Sequence, residues 1–303
     1  KDDQLIIYAP FLSLPEKNRI PLLRQVANLN ISSLVLAKIS MRDEMLYFCY
    51  SCPLSLVNPV KIYSILYDIC LNGDKYDDEF STKFGAKRIC EPIVTPYDSS
   101  TLENVYNVIQ LSCNECLTAV SEFEPERKFG YAWNMITTTL LKILYYAHPQ
   151  GQLLNDLNKA FTEINNEEVP IPDLVKQGKE LITKLVNRSQ EQLAEHLYYI
   201  ETFVPTKRRS NLTTLQADFE ESYAKAAANL EADNFMDCCM ILTYKFYEVY
   251  YYNHLQDDIN DVIAKAMQEA SAKNWEEAAT ILFTAMDKIM EGELEPETET
   301  AKS

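Results

Sequence analysis

Leu5-Ile-Ile-Tyr-Ala-Pro10 opens the chain as a short apolar strand, and the elements after it decide the fold. Pro15-Glu-Lys-Asn-Arg19 begins a helix, and an alternating run from Leu34 to Cys52 turns back on itself at Arg42-Asp-Glu44. A second long helix follows from about Val57 to Phe84. We therefore expect one antiparallel sheet of strands 5–11, 33–41 and 45–52, backed by helices at 16–29 and 57–84.

The alternating run also predicts which side chains face the helices. Leu36, Ile39, Leu46 and Phe48 are its apolar positions. Left in water, each would lose about 1.5–3 kcal/mol of favourable burial. The sequence thus predicts an α+β protein, whose first domain spans residues 1–92 and whose remainder is helical.

Three segments of this domain carry a resemblance to a known family: Tyr8-Ala-Pro10, Leu14-Pro-Glu-Lys-Asn-Arg19, and Leu22-Leu23 leading to Leu29-Asn30. The order strand, helix, hairpin, helix resembles the second half of the type III secretion chaperone-like domains of the YbjN/CesT group. The resemblance covers about a quarter of the chain. It implies a domain that binds protein, pairs with itself or wraps an extended partner segment, and catalyses nothing. The group's opening helix and first two strands have no counterpart before Lys1, so we expect a trimmed or partly ordered chain.

The net charge of −17 bears on the class of partner. An acidic surface repels phosphate backbones and anionic lipids, so we expect no nucleic-acid partner, and Lys207-Arg-Arg209 is interpreted as a solvated loop. No run of 18 apolar residues is free of charge, so we expect no membrane insertion. Eight cysteines are too sparse for a disulfide scaffold. With no visible signal peptide, they favour a cytoplasmic protein with reduced thiols.

Beyond residue 92 the sequence predicts almost only helices. Six glycines and few turn dipeptides leave little material for a β domain. We expect a helical region over 93–206, whose last helix runs from about Leu174 to Phe203. Two helical hairpins should occupy 207–290, followed by a disordered acidic tail at 291–303.

An internal repeat predicts the two hairpins. The stretch from Ala232 to Leu242 aligns without a gap with the stretch from Ala272 to Leu282, and the pair resembles a tetratricopeptide hairpin. Because two such hairpins make a poor solenoid, we expect them to pack on the helix from Leu174 to Phe203. Phe235 and Trp275 should be equivalent buried residues, with Cys239 and Ala279 at the close helix contacts.

Candidate chemistry is weak throughout the chain. Cys49 and Cys52, and Cys113 and Cys116, form two C-x2-C pairs that four-coordinate zinc would suit, but a strand and a mid-helix position are typical of buried thiols. The three histidines occur in no catalytic frame, and no Gly-rich phosphate loop is present. We therefore predict a protein that is not an enzyme, with no catalytic residue, cofactor or metal site.

Two surfaces are predicted to contact a partner protein. One is the sheet, because its first strand lacks the strands expected before it and so offers an edge for strand addition. The other is the tyrosine-rich helix 244–252, whose side chains either face a partner or pack in the core. The predicted contact residues are Tyr8, Leu36, Leu46, Tyr47 and Phe48 on the sheet, and Tyr247 and Tyr251 on the helix.

Two functions remain open at this point. The first is a chaperone-like adaptor that docks a partner protein, or pairs with itself through the α/β domain, and carries a helical-repeat scaffold. The alternative is a structural subunit of a larger multiprotein assembly, in which the same surfaces are permanently occupied.

Overall fold

The computed structural model describes residues 3–205 and 207–294. It has an α+β fold, with a small antiparallel sheet near the start of the chain and helices after it. The chain forms two compact units, and the predicted helical region 93–206 is divided between them. The first unit contains residues 1–99, 149–156 and 191–206, and the second contains 100–148, 157–190 and 207–303.

The first unit is built on a four-stranded antiparallel sheet, as the alternating sequence predicts. Its strand order is β2-β3-β1-β4, and two helices interrupt the strands along the chain. A single 3-10 turn links β3 to the second helix. The elements are β1 (Gln4–Ser13), α1 (Arg19–Ser32), β2 (Lys38–Arg42), β3 (Met45–Pro53), α2 (Pro59–Phe84) and β4 (Lys87–Arg88).

The hairpin between β2 and β3 turns at Asp43 and Glu44. Both residues have positive φ, 49° and 61°, as a two-residue type I′ turn requires. The predicted first strand of this hairpin is too long, because β2 begins only at Lys38. Leu36 lies in the preceding irregular segment and is 39% exposed, so its predicted place on the buried face is wrong. Helix α1 continues to Ser32, and the chain needs the residues after it to reach the sheet.

One face of the sheet packs against α1 and α2. Ile39, Leu46 and Phe48 are buried there, as the alternation predicts. The helices contribute apolar residues at helical spacing to the same core. These are Leu22, Val26 and Leu29 from α1, and Ile65, Ile69 and Phe80 from α2.

A second, two-stranded sheet in the first unit joins distant parts of the chain. Strand β5 (Val94–Pro96) pairs antiparallel with β6 (Tyr198–Ile200). The single helix predicted from Leu174 to Phe203 is therefore wrong. Asn187, Arg188 and Ser189 interrupt it, because the short polar side chains of Asn187 and Ser189 favour turns over helix interiors.

The second unit is helical. Helix α4 packs against both α6 and α9, and α9 also packs against α8 and α11. The first hairpin therefore rests, through α9, on α4 rather than on the expected helix 174–203. The helices from α3 onward are α3 (Ser99–Phe123), α4 (Phe129–Ala147), α5 (Gly151–Ile164), α6 (Ile171–Val186), α7 (Gln190–Ala194), α8 (Leu212–Glu231), α9 (Phe235–Tyr252), α10 (Asp257–Ala270) and α11 (Trp275–Glu291).

The two hairpins, α8–α9 and α10–α11, are not equivalent at their turns. Phe235 is half-buried against the core of the unit, whereas Trp275 is 55% exposed, so the predicted buried position of Trp275 is wrong. The turns explain the difference. The left-handed residue is Asp233 in the first turn, next to the helix-capping position, but Ala272 in the second, one residue further away. The chain therefore enters α11 differently from α9.

The basic run is not a fully solvated loop. Strand β7 (Arg208–Arg209) pairs in parallel with β8 (Asn253–His254). The Lys207 ammonium donates to the Tyr250 carbonyl oxygen at 2.7 Å, and burial lowers the pKa of Lys207. The two arginines are exposed.

In the described part of the chain, no helix combines the length and the apolar character needed to cross a membrane. The predicted acidic tail falls mostly on 295–303, outside the described residues.

Candidate functional site

The edge of the sheet at β2 is closed by one side chain. Asn30 in α1 donates its amide N–H to the Ile39 carbonyl oxygen (2.9 Å), and its Oδ1 accepts from the Ile39 N–H (2.7 Å). The Lys38 ammonium donates to the carbonyl oxygens of Asn30 and Leu34 nearby. A carboxamide that satisfies both backbone groups of a strand residue occupies the place that an added strand would need. This edge is therefore blocked at Ile39, the second residue of β2.

The opposite edge, at β1, is open over most of its length. Strand β1 pairs with β3 from Gln4 to Ser13, but with β4 only at Leu12 and Ser13. The Phe11 carbonyl oxygen also accepts from Ile89 N–H, close to β4. Among the described residues, no strand pairs with the outer side of β1 before that point. Within residues 3–205 and 207–294, a stretch of this sheet edge is thus left without a paired strand.

The strand register identifies the backbone groups on this open edge. Alternate residues of an antiparallel strand direct their N–H and C=O groups to the same neighbour. Because Ile39 bonds to Asn30, away from β3, the residue opposite it, Phe48, directs its groups toward β1, where it faces Ala9. Counting back from Ala9, Tyr8 and Ile6 direct their N–H and C=O groups outward. These are the backbone donors and acceptors that the edge at β1 presents.

Aromatic and aliphatic side chains lie on the sheet face opposite the helices. The rings of Tyr8 and Tyr47 stack with centroids 4.5 Å apart, and the Arg42 guanidinium lies 5.8 Å from the centre of the Tyr8 ring. Ile6, two residues before Tyr8 on the same face, is 67% exposed. A pair of stacked tyrosines, one exposed and one half-buried, with a neighbouring arginine has the composition of protein interfaces.

A cavity of ≈ 140 Å³ lies beside β1 on the helix side of the sheet. Its apolar lining includes Ala9, Phe11, Phe48 and Ile69. Gly73 of α2 also lines it, and a Cβ at this position would meet one heavy atom within 4 Å, Cε2 of Phe48 at 3.8 Å. The absence of a side chain at Gly73 therefore helps to keep the cavity open.

Charged groups line the same cavity and continue past it along α2. The Arg88 Nε donates to Asp77 (2.7 Å), and its other nitrogens bond to Asp78 and Glu91. Burial opposes the charge of Arg88, but its hydrogen bond to Asp77 and the surrounding carboxylates raise its pKa overall. Burial, and then the charge of Asp77, raise the pKa of Asp74 above its ordinary value. The cluster has four carboxylates and one guanidinium, and so is negative when ionised.

Arg88 also lines a second, larger cavity of the first unit. This cavity has a volume of ≈ 340 Å³, and polar side chains such as Gln152, His196 and Tyr198 line it. Burial, followed by the charges of Asp78 and Asp74, raises the pKa of the Tyr198 phenol. In the described ranges, no three or more His, Cys, Asp or Glu side chains are arranged to hold a metal ion.

The predicted contact residues of the sheet have different environments. Tyr8 is exposed and Tyr47 half-buried, and both lie on the open face. Leu46 and Phe48 are buried under the helices, so their predicted contact with a partner is wrong. The error follows from the alternation, because residues that face the core cannot also face outward. Leu36 lies before β2, outside the sheet.

The predicted contact residues of helix α9 belong to the core of the second unit. Tyr247 is 5% exposed, and its ring lies 5.8 Å from that of Tyr145. The Tyr251 hydroxyl donates to Asn158 Oδ1 (3.0 Å), and its ring lies 4.9 Å from Phe161. Because these contacts use both rings, the core interpretation replaces the partner-facing one for this helix.

The two C-x2-C pairs lie in different units. Cys49 and Cys52 belong to the first unit, and Cys113 and Cys116 to the second. Burial raises the pKa of Cys113 to about 12 and that of Cys116 to about 11. These two thiols are therefore protonated at neutral pH, and unreactive as nucleophiles.

Sequence reasoning overlooked three residues of the site: Asn30, Gly73 and Arg88. A glycine in the middle of a 26-residue helix was a usable signal, because such a residue costs helix stability and often marks a close approach or a packing requirement. Asn30 and Arg88 gave no such signal, because asparagine and arginine are common on protein surfaces and most of them have no special role.

The chain matches no protein-family model, and neither the curated proteins nor the solved structures include a significant match.

Proposed function

We propose that this chain is a non-enzymatic adaptor or chaperone that docks an extended segment of a partner protein by strand addition to β1. The observation that carries the proposal is the contrast between the two sheet edges. Asn30 closes the edge at β2, whereas Ile6 and Tyr8 direct outward from β1 backbone groups that no strand among the described residues pairs with. Main-chain hydrogen bonds to such an edge are a general mode of peptide recognition.

Three further features support this proposal. The order strand, helix, hairpin and helix is the one that the secretion chaperone-like resemblance implies, and that group binds protein. The stacked Tyr8–Tyr47 pair, in which Tyr8 is exposed, lies on the open face beside this edge and offers apolar area with polar tips to an added strand. The net charge of −17 favours a protein partner over a nucleic acid.

Proline substitutions on the two edges test the proposal. Ile6→Pro removes an outward N–H from β1 and no bond to β3, because proline lacks the donor and is tolerated on edge strands. Met41→Pro is the matched control, since Met41 follows Ile39 by two residues and directs its N–H away from β3 in the same way.

The probe is a display library of random peptides panned against the full chain and both variants. Wild type and Met41→Pro should enrich a common set of peptides, and Ile6→Pro should not. Circular dichroism should show the same folded content in all three proteins. Equal enrichment by a folded Ile6→Pro variant would exclude strand addition at β1 as the binding mode.

A further inference from the structure

We infer that the face of strand β7 that carries Lys207 and Arg209 binds an acidic peptide segment, in which carboxylates at positions i and i+2 meet these two cations. The site lies in the second unit and does not depend on strand addition at β1. Three observations carry the inference: the absence of an acidic partner for the arginines in the described part of the chain, the arrangement of cationic groups on one face of β7, and the acidic sequence after the last helix.

In the described part of the chain, the arginines of β7 have no acidic partner. Arg208 and Arg209 are exposed, and neither forms an ion pair there. Asp257 and Asp258, which begin α10 shortly after His254, form no ion pair with a described residue either. In a chain with 45 acidic residues and 28 lysines and arginines, two adjacent arginines without a carboxylate leave a local excess of positive charge.

The strand register divides the basic residues between two faces. Strand β7 pairs in parallel with β8, so that Arg209 lies beside His254 and Arg208 beside Asn253. Alternate residues of a strand project to the same face, so Lys207, two residues before Arg209, shares the face of Arg209 and His254. Arg208 projects to the opposite face. One face therefore gathers a lysine, an arginine and a histidine.

The electrostatic effects on His254 agree with this arrangement. Burial lowers the pKa of the His254 imidazole, and the charges of Lys207 and Arg209 lower it further. The Lys207 ammonium is held by its hydrogen bond to the Tyr250 carbonyl oxygen, which carries no net charge and leaves two of the three ammonium donors for another group. A carboxylate would be stabilised on this face, and Arg209 can bind it through two parallel hydrogen bonds.

The backbone of β7 can hold an extended segment beside these side chains. Ser210 N–H donates to the His254 carbonyl oxygen at 3.2 Å, so the backbone of Ser210 faces β8. The residue before it, Arg209, therefore directs its N–H and C=O groups away from β8. Among the strands that the structure describes, none pairs with that side of β7.

The spacing of an extended segment matches that of the cations. Residues i and i+2 of a strand lie on one face, about 6.6 Å apart. Lys207 and Arg209 have this separation in the sequence, so carboxylates at alternate positions of a segment laid along β7 can meet both. Glutamates next to each other would instead point to opposite faces, and only one of them would reach this site.

The chain itself contains such a sequence. The stretch after Leu294 has alternating glutamates at Glu295, Glu297 and Glu299. Leu294 and Leu212 pack against the same hydrophobic core, and Arg209 precedes Leu212 by three residues, at most about 11 Å of chain. Five residues, as in 295–299, span at most about 18 Å. An acidic segment can therefore come from this chain or from a partner protein, and the test separates the two sources.

The test uses a fluorescent peptide of alternating threonine and glutamate, with three glutamates. A peptide of the same composition with its three glutamates in a row is the counterpart. Fluorescence anisotropy measures binding of both to the full chain, and to a variant in which Glu295, Glu297 and Glu299 are replaced by glutamine. At an ionic strength of about 0.15 M, we expect the alternating peptide to bind about tenfold more tightly than its counterpart, as for one hydrogen bond between charged groups.

Two protein variants form a matched pair. Arg209→Gln and Arg208→Gln remove the same charge from neighbouring residues on opposite faces of β7. Arg209→Gln should weaken binding of the alternating peptide about tenfold or more, and Arg208→Gln less than about twofold. Circular dichroism should show that both variants fold as wild type does. Ile6→Pro should leave this binding unchanged, because β1 belongs to the other unit.

Each outcome decides a point. Tighter binding of the peptide to the glutamine variant than to wild type assigns the site to the chain's own glutamates, and equal binding assigns it to a partner segment. Equal losses from the two arginine variants, equal binding of the two peptides, or no binding to either protein would overturn the inference. Tighter binding of inorganic phosphate than of the alternating peptide would overturn it as well, because the site would then select phosphate over carboxylates.

Discussion

Replacing Gly73 by alanine should stabilise the first unit. Glycine in a helix interior is less favourable than alanine by about 0.8–1.0 kcal/mol. Gly73 lies well inside α2, and its φ is not in the left-handed region, so alanine meets no backbone strain. The added Cβ would contact Phe48 at 3.8 Å, an ordinary van der Waals distance. We therefore expect Gly73→Ala to raise the free energy of unfolding by about 1 kcal/mol.

The assay must report on the first unit. Both tryptophans, Trp133 in α4 and Trp275 in α11, belong to the second unit, so tryptophan fluorescence does not follow the first. Native-state hydrogen exchange read by mass spectrometry on fragments of α2 and β3 does follow it. A gain of about 1 kcal/mol slows exchange from the globally protected amides about fivefold.

Gly85→Ala on the same helix is the control with the opposite sign. Gly85 ends α2 with a φ of 75°, a conformation that costs alanine about 1 kcal/mol relative to glycine. It should speed exchange in the same fragments. A destabilising Gly73→Ala would mean that the space beside β1 is already filled, and the reasoning about the cavity would fail with it.

Three other predictions follow from the buried and exposed groups. Asn30→Ala should cost about 1–3 kcal/mol, since both backbone groups of Ile39 lose their partner; faster exchange in β2 would show it, and unchanged protection would contradict it. Asp74→Asn should raise the thermal midpoint at pH 7. Because the pKa of Asp74 is raised in the folded protein, ionisation of this carboxyl lowers the free energy of unfolding as pH rises above its unfolded pKa of about 3.9. The stabilisation by Asp74→Asn should therefore vanish near pH 4. Trp275→Ala should cost under about 1 kcal/mol in thermal unfolding, whereas Phe246→Ala, fully buried, should cost about 3–5 kcal/mol; similar losses would refute this assignment.

The sheet was predictable because its signals are local. Apolar alternation from Lys38 to Cys52 fixes which residues face the helices, and the polar pair Asp43-Glu44 supplies the turn. The limits of β2 were not predictable, because Leu34 and Leu36 continue the apolar pattern although the chain there only connects α1 to the sheet. Leu34 is buried outside any strand, and burial alone produces the same sequence pattern as a strand.

The errors in the helical part share a different cause. The repeat identified two helical hairpins, but the depth of Trp275 depends on a single residue of turn geometry, which sequence similarity does not encode. For the tyrosines of α9, composition is equally typical of a core and of an interface. Their burial is decided by α4 and α5, which supply Tyr145 and Phe161 from distant parts of the chain.

The candidate site likewise contains features that local sequence patterns predict and features that tertiary packing decides. The resemblance suggested an open edge at the first strand, and the sequence placed Tyr8 and Tyr47 among the contact residues; alternation puts both on the face opposite the helices. It could not predict that Asn30 would close one edge, or that Gly73 and Arg88 would shape the other. Those roles depend on which face of α1 and α2 meets the sheet, and that is a property of tertiary packing.

The pairing of β5 with β6 has a consequence for synthesis on the ribosome. All four strands of the main sheet lie between Gln4 and Arg88, so this sheet can form as soon as that part of the chain emerges. Strand β6 emerges roughly a hundred residues after β5, which at about 5–20 residues per second is a delay of about 5–20 s. During this interval the nascent chain already displays the open edge of β1, before the rest of its own unit exists. A partner segment present at that moment would cover the edge before neighbouring nascent chains could pair with it.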